Sequence, residues 1–251
     1  MVSLIPATTE LLYAIGAGAS VVGRSVWCEY PAAALAVPPV GDGIMPNIEA
    51  VTARRPDLVV LYFSSQNALA AKQLRQLGIP AVQFRTDRLS DVVRVGQLLG
   101  LLTGHGEGAA SMARRFADSL AAATVPHPAD PVSAFLLVWA DPPMTVGAGS
   151  YLTELVERAG GRNIYADLPS SSGQISVESA VERNPDVVLV LGDSLPAFAH
   201  RPEWQSVPAV REHRFVYAKG TMFGQPSPRA PAAIRFLAAQ FSAARATRAA
   251  P

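Results

Sequence analysis

Cys28 is the only cysteine in this 251-residue chain, so an intrachain disulfide and a cysteine metal cluster are both excluded. Histidine is scarce as well: His105, His127, His200 and His213 are scattered without the spacing of metal ligands. Charged residues make up 16% of the chain, and 21 basic against 20 acidic side chains leave a net charge of +1. That balance offers no basic field for nucleic acid. No apolar run approaches the roughly 20 residues that span a bilayer as a helix. Catalytic signatures are missing too. There is no G-x-S-x-G elbow, no Walker loop and no G-x-G-x-x-G, and the G-A-G-S run from Gly147 to Ser150 is too short to count. These absences argue against an enzyme, and no resident cofactor or metal is expected.

A secretory leader is absent as well. Val2-Ser3-Leu4-Ile5 reads as a buried strand directly after Met1, with no charged and apolar regions before it. Read alone, this favours the cytoplasm; a periplasmic or extracytoplasmic location requires a leader that this sequence does not include.

What the chain does have is core material, 49% hydrophobic residues, and a long internal repeat. N-I-E-A-V-T-A-R-R-P-D-L-V-V-L from Asn47 to Leu61 returns as S-V-E-S-A-V-E-R-N-P-D-V-V-L-V from Ser176 to Val190, at a constant offset of 129 residues. Glu49 matches Glu178, Arg54 matches Arg183, Pro56 matches Pro185 and Asp57 matches Asp186. A period this long means a duplicated domain rather than a solenoid of short units. Between the copies runs a proline-free, alanine-rich stretch, His105 to Ala123, with Met112, Phe116 and Leu120 at four-residue spacing on one helical face. On either side, apolar strand-like runs such as Leu58–Phe63 and Ser133–Trp139 alternate with capped helical segments. The expected architecture is α/β: two similar lobes with mostly parallel central sheets, joined by a single long rigid helix, with a ligand cleft between the lobes. The expected bounds are 1–104 for the first lobe, 105–124 for the linking helix and 125–251 for the second lobe.

In open α/β sheets, ligands bind beyond the carboxyl ends of the strands. The loops expected there carry Pro6, Trp27, Tyr62, Phe63, Trp139, Met144, Ser172, Phe223 and Gln225. Large apolar and aromatic groups with few charges suit a bulky, flat, partly apolar ligand. Glu49 and Glu178 each fall in the first turn of a helix, where a carboxylate faces the positive end of the macrodipole. Because the repeat places them equivalently, they also form a matched pair of acidic contacts for a two-fold partner with an arginine on each half.

The opening run, V-S-L-I-P-A-T-T-E-L-L-Y through W-C-E-Y-P and N-I-E-A-V-T-A-R-R-P-D-L-V-V, resembles the periplasmic solute-binding proteins with a helical backbone that serve ABC importers of cobalamin, haem and iron-siderophores. P-P-M-T-V-G, A-G-G-R-N-I-Y-A-D, Q-I-S-V-E-S and the closing S-P-R extend the resemblance over nearly the whole chain. S-x-x-P-x-x-T-E and W-C-E-Y-P bring it nearest the vitamin B12-binding group. The resemblance implies a monomeric receptor whose lobes move little, delivering a small molecule to an ABC transporter permease dimer through Glu49 and Glu178. It also implies that Trp27, Tyr62 and Met144 lie against the ligand. Two further ligand-facing positions of that group are Gly43 and Ser172 here, without rings, and Gln225 stands where the group has a basic residue. An anionic siderophore would call for several arginines, and these loops carry only Arg24 and Arg85. The expected ligand is therefore cobalamin or a related metal chelate. The alternatives are an iron-siderophore or haem carrier of the same family, or a cytoplasmic corrinoid-handling module.

Overall fold

The computed structural model of the protein describes residues 1–249. Its contacts divide the chain into two compact units: Met1–Asp118 together with Gln225–Pro228, and Ser119–Gly224 together with the chain from Arg229 onward.

The first unit runs β1 (Val2–Ser3), α1 (Pro6–Ala14), β2 (Gly23–Arg24), α2 (Ile48–Ala53), β3 (Val59–Tyr62), α3 (Ser65–Gln76), β4 (Ala81–Phe84), α4 (Leu89–Thr103) and then α5 (Gly106–Ala123). The strands form one sheet in the order β2-β1-β3-β4, every pair parallel. Val2, Val59 and Leu61 on the strands pack with Val51 of α2 and Ala71 and Leu74 of α3. Buried on both faces, the central strand β3 opens on Val59, Val60 and Leu61 in an unbroken apolar run rather than an alternating pattern.

Neither α1 nor α4 starts on a capping Ser or Thr. Thr8 and Thr9 are not caps of α1, which begins earlier with Pro6 at its first position, where the missing N–H is no loss. Their hydroxyls instead donate to the Ile5 carbonyl at 2.9 and 3.3 Å. Similarly α4 starts at Leu89, before Ser90, and it is the Asp91 carboxylate that accepts from the backbone N–H groups of Asp87 and Arg88 at 2.8 and 3.0 Å.

The linking helix is α5, an 18-residue rod roughly 27 Å long, and the boundary between the units falls inside it, between Asp118 and Ser119. Met112 and Phe116 are buried, as their spacing predicts. Glycines let its first half approach closely. A Cβ on Gly96 of α4 would stand 2.3 Å from Met112 Cε, and one on Gly108 would stand 2.0 Å from the Ile15 carbonyl oxygen.

The second unit contains β5 (Val132–Ala140), β6 (Pro143–Val146), α6 (Tyr151–Arg158), β7 (Gly161–Asn163), β8 (Ser172–Gln174), α7 (Val177–Arg183), β9 (Val187–Val190), α8 (Pro208–Arg211), β10 (Phe215–Tyr217), α9 (Thr221–Gly224) and α10 (Ala230–Ala249). Its six-stranded sheet runs β10-β9-β5-β6-β8, with β7 also on β5. The pairs β5–β9, β9–β10 and β5–β7 are parallel, whereas β5–β6 and β6–β8 are antiparallel. The proline-rich D-P-P-M-T-V and serine-rich S-S-G-Q stretches, which read as loops, supply the two antiparallel strands. Phe135, Phe198 and Trp204 form an aromatic core, with Phe135 stacked on Trp204 at 5.9 Å and Phe198 tilted on Trp204 at 4.9 Å between ring centroids.

The repeat is structural as well as sequential. β3 lies between β1 and β4 with Val59 opposite Val2 and Ala81, and β9 lies between β5 and β10 with Val188 opposite Phe135 and Phe215. Each preceding helix is capped in the same way: Asn47 accepts from the Ala50 N–H, and Ser176 from the Ser179 N–H. Each copy then reverses through a left-handed residue just before its proline, Arg55 with φ 47° and Asn184 with φ 40°. One difference from the expected bounds is that Gln225–Pro228, drawn within 125–251, packs with the first unit.

Candidate ligand-binding site

In the first unit, the carboxyl ends of the parallel strands carry four of the nine expected side chains, Pro6, Trp27, Tyr62 and Phe63. Pro6 follows β1 and is half-buried as the opening residue of α1. Trp27 stands in the loop beyond β2 with 59% of its surface exposed. Tyr62 ends β3 and donates its hydroxyl to Asp87, beyond β4, at 2.6 Å. Burial first, and then the neighbouring Asp87 carboxylate, push the Tyr62 phenol up to about 12, so the ring stays neutral at any physiological pH. Phe63 is exposed beside it and carries the Arg85 guanidinium over its face, 4.9 Å from the centroid.

A turn from Gly41 to Pro46 lies between these groups. Val26, next to Trp27, donates its N–H to the Gly41 carbonyl at 2.9 Å. Asn67, buried in the first turn of α3, donates through Nδ2 to the Gly43 and Tyr62 carbonyls at 3.0 and 2.9 Å. Its Oδ1 is buried without a protein partner. Gly43 fits because a Cβ there would meet the Leu4 carbonyl oxygen at 2.3 Å.

Arg24, expected as a ligand-facing cation, is not available. It is 9% exposed, and its guanidinium donates to the Val37 and Ser25 carbonyls at 2.9 and 3.0 Å. Gln225 belongs to this unit too. Its Nε2 lies 3.5 Å from Glu10 Oε1, while Ser227 donates to Glu10 Oε2 at 2.8 Å. Glu10 is itself buried, so the 225–228 segment is seated on a carboxylate of α1.

In the second unit, Trp139 near the end of β5 is 62% exposed, and its indole N–H donates to the Asp141 carbonyl at 2.8 Å. A register shift in β5 between Leu137 and Trp139 places Trp139 opposite Met144 of β6. Ser172 is exposed on β8, opposite Val146. Phe223 is a correction. It is 1% exposed, with its ring edge-on to Phe236 at 5.5 Å, so it is core rather than a ligand contact. Tyr151 holds that segment in place by donating to the Met222 carbonyl at 2.8 Å.

The sequence reading missed two charged pairs in loops after strands of this unit. Arg201 reaches Asp141 at 3.2 Å and Lys219 reaches Asp193 at 2.9 Å. The Lys219 ammonium holds the Asp193 carboxyl below its usual range. Each residue is ordinary in sequence, and only the fold pairs them.

A cavity of about 480 Å³ in this unit lies elsewhere. It is lined by Val132, Val187 and Phe215, the first residues of their strands, and by Thr247 and Arg248 of α10. Because ligand loops gather at the opposite strand ends, we do not place the site there. Glu49 and Glu178 are both exposed in the first turns of α2 and α7. Its own backbone N–H, and then the Ser176 hydroxyl, hold the Glu178 carboxyl below its usual range. Among the described residues, no three His, Cys, Asp or Glu side chains converge on a metal position.

Two α/β units, built on one repeated strand arrangement, with exposed rings at strand ends (Trp27, Tyr62 and Phe63 in the first, Trp139 in the second), define a two-lobed binding-protein fold. The match to known proteins makes this specific: the chain belongs to the periplasmic binding protein family, whose model matches residues 1–221. It is 25% identical to the vitamin B12-binding protein of Vibrio parahaemolyticus over 236 residues, which cover 93% of this chain and 86% of that one. It is 29% identical to the uncharacterized ABC transporter substrate-binding lipoprotein YvrC of Bacillus subtilis, covering 91% of this chain and 75% of the relative. Among solved structures, the periplasmic vitamin B12 binding protein BtuF of Vibrio cholerae superposes with a TM-score of 0.76 at 26% identity, over 97% of this chain and 96% of that one. The family is one of substrate-binding transport proteins rather than enzymes; the Vibrio cholerae relative is periplasmic and the Bacillus subtilis one a lipoprotein.

Proposed function

We propose that this protein captures a flat, largely neutral metal chelate of the corrinoid class outside the cytoplasm and hands it to an ABC permease dimer. The observation that supports this reading most directly is the character of the strand-end groups. Trp27, Tyr62, Phe63 and Trp139 are exposed rings, while Arg24 is turned inward and Arg85 (which lies over Phe63), Arg201 and Lys219 stand beside Asp87, Asp141 and Asp193. Such surfaces stack on an apolar macrocycle and exchange hydrogen bonds with neutral amides, and they leave little uncompensated positive charge for a polyanionic siderophore. The metal arrives inside its organic frame, so no cluster of protein ligands is needed to hold it. Met144, Ser172, Gln225 and Pro6 complete the proposed contact set. The names of the vitamin B12-binding relatives agree with this ligand class.

Titration of the purified protein with cyanocobalamin, cobinamide, haemin and a ferric hydroxamate, followed by tryptophan fluorescence, tests the reading. Corrinoids are expected to bind in the micromolar range or tighter and the hydroxamate not to bind. Preference for the hydroxamate, or binding of none of the four, would overturn it.

A further inference from the structure

We infer that Ile44 and Met45 form an apolar lip that contacts the ligand and sets its class, an inference that rests on the reading just proposed. With 64% and 72% of their surfaces exposed, they are more open to water than Trp27 at 59%. Two adjacent large apolar side chains held out in this way, at a strand-end edge already rich in rings, mark an interaction surface.

The exposure belongs to a braced structure. The Asp42 carboxylate accepts from the N–H groups of both Ile44 and Met45, at 2.8 and 2.6 Å. Gly41 takes φ 107°, a conformation that favours glycine. The Gly43 carbonyl is tied to Asn67, which also holds the Tyr62 carbonyl, and the Gly41 carbonyl is tied to Val26 beside Trp27. The turn is thus fastened on one side to the strand end bearing Tyr62 and Phe63, and on the other to the loop bearing Trp27. Ile44 and Met45 stand exposed on the turn anchored to both of those loops. Gly43 itself cannot contribute, because the Leu4 carbonyl leaves no room for a side chain.

This has a chemical consequence. Aliphatic and thioether groups have no charge, no strong donor and no fixed ring plane, so they fit the edge or the methyl-bearing face of a macrocycle. They disfavour carboxylate or catecholate groups, which would lose water against them without gaining a partner.

Ile44→Ser, Met45→Ser and the double variant are compared with wild type against cyanocobalamin, cobinamide and haemin, with Leu101→Ser, on the exposed surface of α4, as a control. Each single change is expected to weaken binding about tenfold, from the loss of one buried apolar side chain. The conservative pair Ile44→Val with Met45→Leu should stay within about twofold of wild type, as volume-conserving apolar swaps generally do. Because both side chains are exposed in the free protein, the midpoint of urea unfolding should not move. Wild type that binds a corrinoid while the double serine variant binds it equally well sinks the lip and leaves the corrinoid reading standing. Binding of haemin alone, lost in the double variant, sinks the corrinoid reading and keeps the lip. Wild type that binds none of the three overturns both.

Discussion

Tyr62 is the residue at which local chemistry reaches furthest into the site. Its ring was identifiable from its place at the end of an apolar strand, but its partner was not, because Asp87 lies 25 residues on. The fold raises its phenol to about 12 against an ordinary value of 10. The unfolded chain therefore loses this proton first, and Tyr62 contributes stability that is intact below about pH 10 and disappears as pH rises toward 12. Thermal melts across that window should fall less steeply for Tyr62→Phe than for wild type, and an ultraviolet titration should lose one late-titrating tyrosine. Equal slopes would mean that the fold does not raise the Tyr62 phenol. Arg24 and Phe223 teach the opposite lesson at the same scale. Both read as plausible site groups, and both are buried, one by hydrogen bonds to carbonyls and the other by Phe236.

Among the elements, α5 shows how composition and packing divide the work. Its alanine content and the four-residue spacing of Met112 and Phe116 make it a helix with a buried face. Gly108 is not explained by helix propensity, which it lowers. It is explained by the Ile15 carbonyl, 2.0 Å from where a Cβ would stand. Gly96 is crowded only by the tip of Met112, a flexible methyl that can swing aside. Gly108→Ala should therefore destabilise by about 1–3 kcal/mol in urea unfolding, through overpacking against backbone, and Gly96→Ala by clearly less. The reverse order would mean that α1 and α5 do not approach as described. The antiparallel strands β6 and β8 escaped the sequence reading for a related reason. Their glycine, proline and serine are turn-formers by local preference, and pairing along β5 overrides that preference.

For the molecule as a whole, the duplicated helix–strand unit carries the clearest consequence. Asn47 and Ser176 cap equivalent helices that present Glu49 and Glu178 in equivalent exposed turns. If these carboxylates meet arginines on the two halves of a permease, Glu49→Ala with Glu178→Ala should abolish ligand uptake in reconstituted vesicles while leaving ligand affinity within about twofold of wild type, since such charge pairs act at the docking surface. A fall in affinity with transport retained would place them at the ligand instead.

The sequence by itself determined the α/β class, the duplication, the linking helix and the aromatic character of the strand ends. Those follow from periodicity, capping and residue type, which act over a few residues or repeat visibly along the chain. Only the tertiary structure decided that Arg24 turns inward, that Phe223 is core, that Ser227 seats a distant segment on Glu10, and that Ile44 and Met45 stand exposed on a turn tied to Val26 and Asn67. Each of these depends on which groups from remote parts of the chain arrive at one place. Burial and hydrogen-bond partnership are properties of that meeting, and no local pattern encodes them.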